Sequence, residues 1–126
     1  MLGKKKPIQT RGQMEADISA FASRFEKEHL GRGPLETRTH IIGDMVLVRH
    51  KGLLSRGEAV AAAVSSDHVR AIKSARAATL EASAEHLCSH VKTVTRRRVV
   101  SLHADMSTVT GERVLVFILE SPPEPA

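Results

Sequence analysis

Hydrophobic positions along this chain change their period several times, and each change marks an element. From Gly12 to Leu30 the apolar residues Met14, Ile18, Phe21, Phe25 and Leu30 recur at intervals of three to five, which predicts an amphipathic helix with Gly31 as its stop. Phe21 and Phe25 stand one turn apart and anchor its inner face. Pro34 cannot extend a helix, and LETRTHII (35–42) alternates as a strand does. Gly43-Asp44 predicts a turn into a second strand, MVLVRH (45–50), closed by Gly52. An alanine-rich stretch at about 56–64 predicts a short helix. Ser65, Ser66 and Asp67 then offer N-cap oxygens to a long helix reaching about Val91. Its inner stripe is Val69, Ile72, Leu80, Ala84, Leu87 and Val91, with Arg70, Lys73 and Arg76 along a flank. Two more strands follow, RRVVSLHADM (97–106) and ERVLVFILE (112–120), joined by STVTG (107–111).

This order predicts an α+β fold of the helix–hairpin–helix–hairpin (αββαββ) type, with a four-stranded antiparallel sheet packed by helices. The single domain is expected over 12–120, between a flexible basic tail (1–11) and a proline-rich tail (121–126). GDMVLV (43–48) and GERVLV (111–116) share the pattern G-[DE]-x-V-L-V at the second strand of each hairpin, which reads either as an internal duplication or as coincidence, since Val and Leu are common in strands. Residues 114–119 are apolar without alternation, so both faces of the last strand are expected to be buried, and 45–48 look alike. Two helices cover one face of such a sheet. A chain this short has little left for the other, so a second copy is the expected cover and a homodimer the expected state, the alternative being a monomer whose long and short helices lie on opposite faces.

Composition narrows the possible chemistry. Trp and Tyr are absent and only three Phe are present, so the core is aliphatic and there are few rings to stack on bases. The formal charge of +5 raises the question of nucleic acid. Its distribution argues against it: Lys4, Lys5 and Lys6 lie in the tail, Arg96, Arg97 and Arg98 open a strand, and acids alternate with bases elsewhere. The single cysteine, Cys88, excludes an internal disulfide and suits a reducing compartment. No secretory signal is evident, and no apolar run approaches the ~20 residues of a membrane helix. A soluble cytoplasmic protein without direct membrane insertion is expected.

The densest candidate chemistry is SLHADMSTVTGE (101–112). On a strand, Ser101, His103, Asp105 and Ser107 project from one face, with His103 expected to bond to Asp105. A serine triad is disfavoured, because a mid-strand serine lacks the sharp turn and oxyanion donors of a nucleophile elbow. A metal reading takes His103 and Asp105 as ligands with a third from His40, His50 or His86, a site that would have to be assembled across separate elements. The loop hydroxyls of Ser107, Thr108 and Thr110, with Gly111, either receive a small anion or cap their own backbone. GRGP (31–34) likewise either presents Arg32 to a carboxylate or phosphate, or simply stops the helix and turns the chain.

Four segments taken together resemble one small bacterial family: GRGP, GDMVLVR, KGLLSRGEA and, above all, SLHADMSTVTGERVLVFILE. The chain is similar over about residues 11–120 to the MpsC type, formerly a domain of unknown function. That resemblance implies a component of a sodium-translocating, membrane-potential-generating system linked to bicarbonate or inorganic-carbon uptake. It implies an accessory protein that is not itself a transporter, peripheral to the inner membrane face through a partner, and it carries no catalytic residues with it. The link VSSDHV (64–69) departs from the proline- and glycine-bearing turn of the family pattern.

The expectation is therefore a non-catalytic, homodimeric binding or regulatory module that contacts subunits of a membrane transport complex, with no cofactor or metal. Its contact residues are expected to be His103, Asp105, Ser107, Thr108, Thr110 and Arg113, with Arg32 next. The alternatives are a metal-dependent hydrolase using His103 and Asp105, and a nucleic-acid-binding regulator using Arg96–Arg98.

Overall fold

A computed structural model describes residues 8–125. The basic segment 1–7 and the final Ala126, both assigned to tails, lie outside the described residues. Seven elements follow one another: α1 (Arg11–His29), β1 (Glu36–Ile42), β2 (Met45–Lys51), α2 (Arg56–Val64), α3 (Ser66–Thr95), β3 (Val99–Met106) and β4 (Arg113–Leu119). The fold is α+β, with three helices and a four-stranded antiparallel sheet in the order β1-β2-β4-β3. Each hairpin contributes its second strand to the centre, so β2 and β4, which carry the repeated pattern, lie side by side.

Side-chain caps fix the helix starts. Thr10 Oγ1 accepts from the Gln13 amide at 3.1 Å, and Gln13 Oε1 accepts from the Thr10 amide at 2.9 Å. The first helix thus begins at Arg11, inside the stretch assigned to the tail. Ser55 and Glu58 form the same reciprocal box at α2, and Ser65 alone caps α3. α3 runs past Val91 because Val94 and Thr95 continue its buried stripe, and it stops where Arg96 turns left-handed at φ 59°.

The core is a single apolar layer between α1, the C-terminal half of α3 and one face of the sheet. Met14, Ile18, Ala22 and Phe25 of α1 meet Ile41, Val46, Val48, Leu115, Phe117 and Leu119 there, with Leu80, Leu87 and Val91 of α3 closing it. Phe21 stacks flat on His90, with ring centroids 3.8 Å apart, and ties α1 to α3. The predicted upper stripe of the long helix is less enclosed: Val69 and Ile72 are half-buried, and the first buried residue is Leu80. α3 also packs against α2, of which no residue is buried.

Within a single chain the last strand has one enclosed face and one open one. β4 alternates: Arg113, Leu115, Phe117 and Leu119 are buried, whereas Val114, Val116 and Ile118 are only half-buried. In β2, Val46, Val48 and His50 are enclosed while Met45 and Leu47 are half-buried. One chain therefore covers one face of its central strands and leaves apolar side chains on the other.

Candidate functional site

The ladder registers place the uncovered side chains in three rows. Arg38, Arg49, Val114 and Asp105 form the first, His40, Leu47, Val116 and His103 the second, and Ile42, Met45, Ile118 and Ser101 the third. The central strands supply apolar groups, and exposed histidines flank the middle row on the edge strands. Ile42 is 55% exposed and extends the apolar area to the β1 edge. This is a contiguous apolar strip with a polar rim, the composition of an association surface.

The residues singled out in the sequence separate in space. His103 is exposed, and its Nε2 lies 3.0 Å from Ser101 Oγ rather than on Asp105. Asp105 instead turns around the edge of the sheet to Lys73 of α3, with Nζ 3.0 Å from Oδ1. The Lys73 hydrogen bond, with a further one from the Met106 amide, holds its carboxyl below the usual range. A His–Asp ligand or relay pair is thus not assembled, because the attraction of Lys73 competes successfully for the carboxylate. Among the described residues there is no group of three or more His, Cys, Asp or Glu placed to hold a metal ion.

The loop between β3 and β4 uses its own hydroxyls. Ser107 Oγ accepts from the Val109 and Thr110 amides at 3.2 Å each, and Thr110 Oγ1 accepts from the Glu112 amide at 3.3 Å. Thr108 is half-buried in the same turn. Gly111, at φ +74°, donates to the Ser107 carbonyl at 2.9 Å and accepts from Leu53 N at 3.1 Å, which pins the loop to the segment before α2. Arg32, exposed beyond α1, reaches the Leu54 carbonyl at 3.5 Å. Of the basic triplet, Arg97 donates to the Pro122 carbonyl at 3.0 Å and Arg98 Nε lies 3.7 Å from Glu120, so these two brace the segment that follows β4.

Arg113 is not on the loop's polar surface. It is 2% exposed, on the helix side of the sheet, and donates to Glu26 of α1. Around this pair lies a buried charged group that the sequence reading missed. Arg76 of α3 bonds Glu58 of α2 through Nη2 at 2.7 Å and Nε at 3.1 Å, and donates to the Leu53 carbonyl at 3.0 Å. Its Nη1 stands 3.8 Å from Glu26 Oε1. His50 of β2 is fully enclosed, with Nδ1 2.7 Å from Thr37 Oγ1 and Nε2 3.9 Å from Glu26 Oε2.

Burial is the first cause of two opposite shifts here. It raises the carboxyl of Glu26 above its usual range against the pull of Arg113 and Arg76, and it lowers His50 to about 4 with help from Arg113. His50 is therefore neutral near pH 7, and its approach to Glu26 is not an ion pair. Glu58, bonded by Arg76 and the Ser55 amide, is pushed down to about 2.

The signal for this group was in the sequence phase. Glu26 stands one turn beyond Ala22 on the buried stripe of α1, Arg76 one turn before Leu80, and His50 and Arg113 each fall in step with the buried positions of their strands. A charge in phase with an apolar stripe must find a partner or carry a desolvation cost.

The fold and its surfaces define a small α+β protein with one covered and one uncovered sheet face. A family model described as "Na+-translocating membrane potential-generating system (MpsC)" matches residues 10–121, and the chain belongs to that family. It is also 37% identical over 110 residues to "Uncharacterized protein YbcI" of Bacillus subtilis (strain 168), covering 87% of this chain and 88% of that protein. No solved structure matches significantly. No helix among the described residues is long and apolar enough to cross a membrane.

Proposed function

We propose that the protein is a non-catalytic, cytoplasmic accessory component of a Na+-translocating, membrane-potential-generating system, acting as a homodimeric binding module. Family membership supports the system. The observation that carries the module reading is the uncovered strip Met45, Leu47, Val114, Val116 and Ile118 on the two central strands. A two-fold axis lying along the strands sets the Leu47 strand of one copy over the Val116 strand of the other, so the strip is complementary to itself. His103 and Asp105 at the rim, with Thr108 and Arg32 beyond, are the proposed contacts to membrane subunits. Arg113 is too enclosed to meet a protein partner, and Ser107 and Thr110 serve the loop's own backbone. A non-catalytic role fits a surface on which Ser101 and His103 meet without an acid behind them.

Co-purification from detergent-solubilised membranes tests this role. Tagged wild-type protein is expected to retain the integral subunits of the system, and a strain lacking those subunits is expected to leave the protein in the soluble fraction. Recovery from membranes that does not change when the subunits are deleted would contradict it.

A further inference from the structure

The two edges of the sheet differ in how their main-chain groups are satisfied. At one end of the β3–β4 ladder Ser107 N donates to the Glu112 carbonyl, and at the other Glu120 N donates to the Arg98 carbonyl. The even-numbered residues of β4 therefore bond toward β3, and Ser101, His103 and Asp105 are their partners. Leu102 and Ala104, which alternate with these, direct their N–H and C=O groups away from the sheet. Met106 N points the same way and is taken by Asp105 Oδ1 at 2.8 Å. Nothing meets the outward groups of Leu102 and Ala104 among the described residues. The opposite edge is guarded by α1. Thr39 and Ile41 of β1 are both buried, Glu15 Oε2 accepts from the Ile41 amide at 2.8 Å, and Ser19 Oγ lies 2.7 Å from Thr39 Oγ1. Such cover protects an edge against strand addition, and β3 has it only at Met106.

Beside the open stretch of β3, toward α3, runs a groove of about 350 Å³. Leu102, Ala104 and Met106 form its strand wall, and Leu80 and Ala84 line it from α3. Ala104 belongs to the helix side of the sheet, since its partner Leu115 is buried there, yet Ala104 is itself exposed. The same two residues thus offer free main-chain groups and an apolar wall. Glu81 of α3 also lines the groove and has no basic partner among the described residues. Lys73 and Asp105, paired at 3.0 Å, close one end.

We propose that the β3 edge accepts an extended segment of a partner protein as an additional strand of the sheet. A strand added there forms hydrogen-bonded pairs with Leu102 and Ala104, and the two residues so paired turn their side chains to the helix side, into the groove. Main-chain bonds supply affinity in this mode of recognition, and the groove reads alternate side chains. The walls set the chemistry of the segment: two aliphatic residues separated by one, with a basic residue next in phase to meet Glu81. The groove lies on the opposite side of the sheet from the uncovered strip, so the proposal stands whether or not that strip pairs two copies.

Amide NMR of the intact chain, titrated with the peptide acetyl-Lys-Thr-Leu-Thr-Val-Thr-Lys-amide, tests the edge. Saturable shifts are expected, with the Leu102 and Ala104 amides slowed in hydrogen exchange when the peptide is bound. The same peptide N-methylated at its Leu and Val keeps the apolar groups and loses two main-chain donors, so it is expected to bind at least about tenfold more weakly. Glu in place of both Lys is expected to weaken binding several-fold. Ala104→Pro removes an outward N–H and no ladder bond, so the fold is expected to persist and the binding to be lost. Ala84→Phe fills the groove from α3 and is expected to abolish binding even where Ala104→Pro does not fold. No saturable binding by the wild type, equal binding of the N-methylated peptide, unchanged binding by Ala84→Phe, or shifts confined to the strip along Leu47 and Val116 overturns the proposal.

Discussion

Arg113, the first residue of β4, donates to Glu26 of α1 across 87 positions of sequence, with both side chains only 3% exposed. This pair joins the helix layer to the centre of the sheet. Losing one member of a buried pair leaves a desolvated charge, whereas replacing both by apolar groups removes that penalty. Arg113→Met or Glu26→Leu alone is expected to lower stability by about 3–5 kcal/mol, and the double variant by less than either. Urea unfolding of the three variants checks this; equal losses added in the double variant would contradict it.

His50 gives the protein a definite acid response. Its folded pKa of about 4 lies below the 6.5 of an ordinary histidine, so the unfolded chain binds more protons between these values and stability rises with pH across that window. The contribution is complete above about pH 6.5 and is lost as pH falls toward 4, a change of about 3 kcal/mol at most. Glu26 acts in the opposite sense, since its raised pKa favours the folded state at low pH. His50→Asn is therefore expected to flatten the fall between pH 6.5 and 4 when unfolding is followed by urea at each pH. A variant as steep as the wild type would assign the fall to other groups.

Gly111 holds the β3–β4 loop at φ +74°, and a Cβ there would stand 3.3 Å from the Leu54 Cβ and 3.4 Å from the Leu54 amide nitrogen. Both the backbone conformation and the close approach oppose a side chain. Gly111→Ala is expected to cost about 1–3 kcal/mol, read as a lower urea midpoint, and to loosen the Leu53 N to Gly111 O bond in amide exchange. An unchanged midpoint would show that the loop relaxes without loss.

Ser55 closes the cap of α2, accepting from the Glu58 amide at 3.1 Å while Glu58 accepts from the Ser55 amide at 3.0 Å. Because Glu58 also binds Arg76, this cap sets the outer end of the buried charged group. Ser55→Ala is expected to lower stability by about 1 kcal/mol in the same assay. A loss near zero would mean that Arg76 alone positions Glu58.

Periodicity carried most of the fold into view. The α2 limits, the strands and the loop at 107–111 follow from residue spacing and turn residues, because local sterics and capping decide them. Strand order did not, since pairing β2 with β4 depends on contacts far apart in sequence. The row Ser101, His103 and Asp105 was legible as residues but not as a site: Lys73, on another element, takes the aspartate. Arg76 was placed on a flank although it lies in phase with Leu80, and its role depends on Glu58 and Glu26, whose approach only the tertiary fold creates.

A single chain leaves the strip along Leu47 and Val116 uncovered, and a second copy is its proposed cover. Multi-angle light scattering of wild-type protein and of Val116→Asp tests it most directly, because Val116 is half-exposed in one copy and its replacement spares the core. Wild type is expected at twice the chain mass at micromolar concentration, and the variant at one chain mass with its fold retained. A monomeric wild type, or a variant that remains dimeric, would contradict the account.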